Sequence, residues 1–202
     1  MTDRPIIFSA PMVRALLAGT KKQTRRLIKK PSALDCLAVF GPSMLLKPGC
    51  ADLVSYAAGD RLWVRESIGR RPASFFGIEA TNGVESTFYC ADEEEGVNEH
   101  GFNLCPWWKQ RQSLPSIHMP RWASRLTLTV TDVRVQRLQE ISEEDAIAEG
   151  IEPFGQGIAF VKLEDAQTYG TPRSCFQVLW NSLHGPDAWA VNPWICAISF
   201  AV

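Results

Sequence analysis

The alternation of hydrophobic and polar positions is clearest in RLTLTVTDVRVQRL, residues 125–138. Apolar residues occupy even positions in its first half and odd positions after Asp132. A period of two predicts a β-strand, because successive strand side chains point to opposite faces. The change of parity predicts a bulge or bend near Asp132.

Three further strands are predicted by short apolar runs that follow or contain turn residues. In one of them Leu62 and Val64 share a face, while Trp63 shares the opposite face with two arginines. The three runs are GDRLWVRE (59–66), STFYCAD (86–92) and NPWICAISFAV (192–202).

Three short helices are predicted by apolar spacing of three and four residues together with end signals. Gly19 is suited to end the first helix, and Ser142 is suited to cap the second, which Gly150 ends. The helices are expected within PMVRALLAG (11–19), ISEEDAIAEGI (141–151) and RSCFQVLWNSLHG (173–185).

Residues 31–58, 93–113 and 153–172 contain glycine and proline without a clear period, which predicts irregular loops. Strands separated by single short helices indicate an α+β fold, and we expect a small mixed or antiparallel β-barrel. There is no internal repeat and no low-complexity linker, so residues 1–202 are interpreted as one domain.

Composition narrows the possible functions. The net charge of −1 over 202 residues gives no general attraction to nucleic acid, and residues 19–30 form the dense basic cluster. The six cysteines show no C-x-x-C pair and the three histidines no metal-ligand spacing, so neither metal nor cofactor is expected. Without a long apolar run or a signal-peptide pattern, the sequence predicts a cytoplasmic protein that does not enter membranes.

Within the basic cluster, Lys21 and Thr24 are three residues apart, which predicts that they share one face of a helical turn or tight loop. A lysine can act as a base where burial and neighbouring cations lower its pKa. Lys22, Arg25 and Arg26 would supply such a field. The alternative is a solvated basic turn after a helix.

The pattern Gly19-x-Lys21-x-x-Thr24-x-Arg26 after a short helix resembles the signature of the ASCH domain, which belongs to the PUA-like superfamily. The segment GDRLWVRE, the long strand with its acidic helix, and the last helix and strand follow in the order found in larger ASCH proteins of phages and prophages. The resemblance implies a PUA-like barrel with insertions near residues 31–58, 93–113 and 153–172.

Some ASCH proteins are metal-independent amidohydrolases that remove the acyl group from N(4)-acetylcytidine. Their lysine base and threonine nucleophile correspond to Lys21 and Thr24, and their glutamate proton donor corresponds to Glu149. Glu143 and Glu144 are alternatives for the donor, but the helix dipole at their end favours ionised carboxylates.

Further residues are candidates for substrate binding. Arg26 could hold an anion, and Trp63 could stack on a nucleobase or pack under a loop. Arg65 and Glu66 either reach the substrate or form a cross-strand ion pair. His118 is either a site residue or a hydrogen-bonded structural residue.

Other ASCH proteins bind or cut RNA, which gives the alternative function of an RNA-binding module or ribonuclease. In that case the basic cluster would hold phosphates and Trp107 and Trp108 would stack on bases. The expected partners are a modified nucleoside or nucleobase, with RNA as the alternative, and the expected state is a monomer or weak dimer.

Overall fold

The computed structural model describes residues 3–47, 49–71, 86–94, 113–155, 157–162 and 167–202. Within these ranges the strands are β1 (Asp3–Ile7), β2 (Gln23–Leu27), β3 (Arg61–Arg65), β4 (Ile68–Arg71), β5 (Ser86–Tyr89), β6 (Ser113–Leu114), β7 (Thr127–Arg137), β8 (Glu152–Gly155), β9 (Ile158–Lys162), β10 (Gln167–Gly170) and β11 (Trp194–Ala201). The helices are α1 (Ala10–Leu17), α2 (Pro31–Phe40), α3 (Pro42–Leu45), α4 (Ala51–Val54), α5 (Glu143–Ala148) and α6 (Pro172–His184). Short 3₁₀ turns cover Ser116–His118, Arg121–Ala123 and Leu138–Glu140.

The predicted α+β class is confirmed, because several sheets alternate with short helices. The predicted closed barrel is not present among the described strands. Closure requires every strand to pair on both sides, whereas β2 pairs only with β11 in these ranges and leaves its other edge open.

The described residues divide into two compact units, and each unit takes two separate stretches of chain. The first unit is Met1–Leu17 with Arg61–Leu128, and the second is Ala18–Asp60 with Thr129–Val202. The division does not follow a linker in the sequence. The interpretation of the chain as one domain stays a prediction.

In the first unit, β1 runs parallel to β3, and β4 pairs antiparallel with β5 and β6. The helix α1 begins as predicted, with Pro11 in its first turn, and is followed by Gly19 at a φ of 69°. Buried Ile68, Tyr89, Leu114, Met119 and Ala123 form a core cluster.

In the second unit, β11 pairs antiparallel with β2 on one side and with β7 on the other. Ser199 pairs with Asp132 and Phe200 with Val130, so Thr131 is an extra residue on β7. This bulge confirms the interpretation of the parity change, since an extra residue reverses which positions face the core.

The helices α5 and α6 of the second unit pack together, and α6 also packs on β9 and β10. Both helices begin at a capping side chain, because Ser142 accepts from the Asp145 N–H and Thr171 accepts from the Ser174 N–H. Their packing encloses a core that includes Ile141, Ala146, Cys175, Phe176, Trp180 and Ile195.

Two of the predicted loops are wrong. Residues 31–58 contain α2, α3 and α4, and residues 153–172 contain most of β8 to β10. The helix α2 has no capping side chain at its start, and β8 has no buried face, so α2 lacked that start signal and β8 lacked the alternation on which a prediction depends. Most of residues 93–113 lies outside the described ranges.

Among the described residues, no helix is both long enough and apolar enough to span a bilayer.

The Ser142 cap allows a direct test of how α5 is held. Ser142→Ala removes the side-chain acceptor at 3.1 Å from the Asp145 N–H, and we expect it to lower the free energy of unfolding by about 1 kcal/mol. Ser142→Asp keeps an acceptor and should stay close to wild type. Urea denaturation measures both variants, and an equal loss in the two would contradict the capping role.

Candidate active site

Strand β2 separates its polar side chains onto two faces. Successive strand residues alternate, so Gln23 and Arg25 lie on one face and Thr24 and Arg26 on the other. The prediction that Lys21 and Thr24 share a helical turn or tight loop is therefore wrong. Pairing with β11 draws residues 23–27 into an extended conformation.

The Lys21 side chain is fully enclosed beside the C-terminal end of α5. Its Nζ donates to Glu149 Oε2 at 2.9 Å and to the Glu149 carbonyl oxygen at 2.7 Å. Lys21 is 1% exposed and Glu149 is 6% exposed. The Lys22 N–H also donates to the Ala148 carbonyl, which fastens the chain before β2 to the helix. The structure thus brings together two of the three predicted catalytic residues.

Arg25 holds the other side of the Glu149 carboxylate. Its NH1 donates to Glu149 Oε1 at 2.9 Å and to Gln23 Oε1 at 2.6 Å, and its NH2 donates to Asp145 Oδ2 at 2.8 Å. The guanidinium also lies over the Phe176 ring, 5.6 Å from its centroid. The sequence predicted for Arg25 only a contribution to the positive field. Gln23 and Arg25 are two residues apart, and this spacing could have indicated that both lie on the same face of a strand.

Asp145 joins the same network from the first turn of α5. Its carboxylate accepts from Arg134 NH2 at 2.8 and 3.0 Å and from Gln23 Nε2 at 3.2 Å. Burial acts to raise the pKa of Asp145, but the Arg134 hydrogen bond and the charges of Arg25 and Arg134 outweigh it, so the pKa lies below its ordinary value. Asp145 is therefore a fixed negative charge that anchors Arg25.

Burial lowers the pKa of Lys21 from its ordinary value. The charge and hydrogen bond of Glu149 oppose this shift, whereas the charges of Arg26 and Arg25 add to it. The physical condition that a lysine base requires, removal from water close to other cations, is present at this position.

Thr24 is buried on β2, on the same face as Arg26, and is 5% exposed. Within the described ranges, no hydrogen bond joins its hydroxyl to Lys21 or Glu149. Arg26 shares the face of Thr24, and its charge also acts on Lys21. Burial lowers the pKa of Arg26, while the charges of Tyr56 and Glu149 act in the opposite direction.

Arg26 also lines a cavity of about 220 Å³. The cavity lies on the Thr24 face of the β2–β11 pair, because Cys196, which is directly opposite Arg26, contributes to the same wall. Its other walls come from residues 27–30 and 53–56.

The alternatives for the proton donor lie elsewhere on α5. Glu143 and Glu144 are both exposed, and Glu143 Oε2 accepts the Arg173 N–H at 2.7 Å. Neither contacts Lys21 among the described hydrogen bonds, which leaves Glu149 as the carboxyl group at the lysine.

The remaining predicted binding residues belong to the first unit. Glu66 is 2% exposed and forms two hydrogen bonds of 2.9 Å with Arg125. This is an ion pair, although both residues lie just outside the strands and not across from each other within them. Burial raises the pKa of Glu66 even though the hydrogen bond and charge of Arg125 act to lower it. Arg125 also binds Asp92 and lies 4.0 Å from the centroid of Tyr89, so this cluster stabilises the unit.

Trp63 is 8% exposed, and two guanidinium groups cover its ring. Arg65 lies 4.8 Å and Arg121 5.8 Å from a ring centroid of this tryptophan. Arg65 also donates to the Met119 carbonyl at 3.0 Å. His118 is exposed in a 3₁₀ turn. The structure gives Trp63 and Arg65 packing contacts within the first unit, whereas Lys21 and Glu149 belong to the second unit.

The described residues contain no group of three or more histidine, cysteine, aspartate or glutamate side chains arranged to hold a metal ion. Comparison of the chain with protein-family models, with curated proteins and with solved structures found no match. The chemistry of the site is therefore argued from its own residues.

The two arginines that bind Asp145 provide a matched stability test. Arg25→Met should lower the free energy of unfolding by about 3–5 kcal/mol, because it leaves buried carboxylate oxygens unpaired. Arg134→Met removes a half-exposed partner and should cost about 1 kcal/mol or less. Urea denaturation of both variants measures the difference, and similar losses would refute the importance of the buried pair.

The lowered pKa of Lys21 gives a second test. In the unfolded chain Lys21 has its ordinary pKa. At pH values between its lowered pKa in the folded protein and this ordinary pKa, the unfolded state therefore binds more protons than the folded state. Stability should therefore rise with pH through that window, by at most about 1.4 kcal/mol per pH unit. The measurement is the free energy of unfolding at a series of pH values below the ordinary pKa of lysine.

Lys21→Met should lack this rise. Lys47→Met, which removes an exposed lysine of the same unit, should retain the wild-type dependence. A rise of equal size in wild type and Lys21→Met would show that Lys21 does not cause it.

Proposed function

We propose that this protein is a metal-independent amidohydrolase of the ASCH type, within the PUA-like superfamily, that removes the acyl group from N(4)-acylated cytidine or cytosine. N(4)-acetylcytidine is the representative substrate. The observation that carries the proposal is the buried contact between Lys21 Nζ and Glu149 Oε2 at 2.9 Å. In the proposed mechanism these two groups are the base and the proton donor, and both side chains are almost fully buried.

Lys21 and Glu149 together carry the proton that amide hydrolysis requires them to transfer. A protonated lysine beside a carboxylate and a neutral lysine beside a carboxylic acid contain the same number of protons. Moving one proton along the 2.9 Å contact therefore converts the resting ion pair into a base and an acid without exchange with solvent. Burial favours the uncharged form, and Arg25 keeps the carboxyl group in place.

In the proposed reaction, the Thr24 oxygen attacks the acyl carbon while its proton passes to Lys21 Nζ. The bond between the acyl carbon and N4 then breaks, and Glu149 gives its proton to the departing amine. This leaves an acyl ester on Thr24. The mechanism requires the Thr24 hydroxyl to approach Lys21 when the substrate is bound.

Water completes the cycle. Glu149, now a carboxylate, takes a proton from the water that attacks the ester, and the Thr24 oxygen recovers its proton from Lys21. The carboxylic acid leaves, and both residues return to their starting state. In this mechanism Arg26, which shares the Thr24 face and acts on Lys21 through its charge, would stabilise the oxyanion in both steps.

The burial of two cations in the basic cluster favours this function over RNA binding. Lys21 and Arg25 are engaged in ion pairs inside the protein, so they do not present their charge to a phosphate backbone. Trp107 and Trp108 lie outside the described residues. RNA binding or cleavage, a cytoplasmic location and a monomeric or weakly dimeric state stay predictions.

Hydrolysis can be followed directly by the change in ultraviolet absorbance as N(4)-acetylcytidine becomes cytidine. We expect activity in the wild type and a loss of at least about 100-fold in kcat for Lys21→Met, Thr24→Val and Glu149→Gln, because each removes a group that transfers a proton or forms a bond. Thr24→Ser should retain measurable activity, since it keeps a hydroxyl.

Lys47→Met removes an exposed lysine of the same unit and should behave as wild type in this assay. Circular dichroism separates loss of chemistry from loss of fold. An inert wild type, or full activity in folded Thr24→Val or Lys21→Met, would refute the proposal.

A further inference from the structure

The described residues that line the cavity beside β2 carry positive charge and no negative charge. Three of its lining residues, Arg26, Lys29 and Lys30, are cationic, and no acidic side chain is among the described residues that line it. The remaining lining residues are Leu27, Ile28, Leu53, Val54, Ser55, Tyr56 and Cys196. A concave site with this lining attracts an anion.

The charges of Lys29 and Lys30 are not neutralised by their surroundings. The Lys30 ammonium donates to the Asp52 carbonyl oxygen, which is a neutral acceptor. Neither lysine forms an ion pair with a carboxylate in the part of the chain that the structure describes. This distinguishes them from Lys21 and Arg25, whose charges are balanced inside the protein.

The field of these cations reaches the end of α6. The pKa of His184 is lowered, first by burial and then by the charges of Lys29 and Arg26. The His184 ring stacks on Trp180, with 4.1 Å between ring centroids. The helix α2 begins directly after Lys30 with no acidic residue in its first turn, so its dipole adds positive potential on the same side.

The cavity lies beyond Thr24 along β2, where the phosphate end of a substrate whose amide is at Thr24 would reach. Thr24 and Arg26 share one face of β2 and are about 7 Å apart along the strand, and Lys29 and Lys30 follow beyond them. A cytidine nucleotide has the same order, with the N4 amide at one end, the phosphate at the other and the ribose between them. The volume of about 220 Å³ is below the range of about 300–1,000 Å³ usual for whole ligands, which suits the phosphate end of a substrate.

We propose that this cavity binds the 5′-phosphate of the substrate through Lys29 and Lys30. The preferred substrate is then an N(4)-acylated cytidine nucleotide and not the free nucleoside. The inference rests on the proposed function for the identity of the base. The phosphate site itself depends only on the cations and the cavity.

Isothermal titration calorimetry of the full chain tests the inference with three probes, which are cytidine, cytidine 5′-monophosphate and inorganic phosphate. The wild type should bind the monophosphate at least about tenfold more tightly than cytidine, and it should bind inorganic phosphate detectably. The double variant Lys29→Gln/Lys30→Gln should bind monophosphate and cytidine equally and should lose phosphate binding. Lys47→Gln removes one positive charge from an exposed position of the same unit and should keep the wild-type preference.

Equal binding of the monophosphate and cytidine by the wild type would overturn the inference, as would a preference that survives in the folded double variant. Tighter binding of a short cytidine-containing RNA than of the monophosphate would overturn the assignment to a mononucleotide.

These binding measurements need no hydrolysis. A phosphate-dependent preference in a protein that does not deacylate refutes only the proposed function, and deacylation without the preference refutes only this inference.

Discussion

The buried ion pair between Lys21 and Glu149, completed by Arg25, is the interaction on which the candidate site depends. Removing two cations and a carboxylate from water is costly, and the cost is offset only because every carboxylate oxygen has a partner at 2.9 Å. The same contacts join the start of β2 to the end of α5. The geometry of the site and the packing of these two elements therefore rest on one network.

The same network also bears on the proposed proton transfer between Lys21 and Glu149. Arg25 is held between Glu149 and Asp145, and Asp145 is held in turn by the more exposed Arg134. A carboxyl group fixed in this way keeps its distance to Lys21 when the proton moves. The burial that lowers the pKa of Lys21 disfavours its charged form, so under the proposed function the chain would give up stability for a reactive lysine.

Much of the fold around the site could be predicted from local signals. Ser142 caps α5, the break at Asp132 marks a bulge, and Gly19 follows α1, because each depends on residues close in sequence. The three helices in residues 31–58 and the sheet of β8 to β10 were missed. The helices α2, α3 and α4 pack on one another, and β9 and β10 pack on α6, so these elements depend on contacts that a local pattern does not show.

The sequence by itself determined which residue types are available to the site, namely a lysine, a threonine and arginines at fixed spacing, with a glutamate at the end of an acidic helix. It could not determine which cations lose contact with water. Only the tertiary structure decided that Lys21 and Arg25 are buried against α5 while Lys29 and Lys30 remain exposed at a cavity. The reason is physical, because burial and ion pairing depend on which surfaces meet when β2 pairs with β11 and α5 packs beside it.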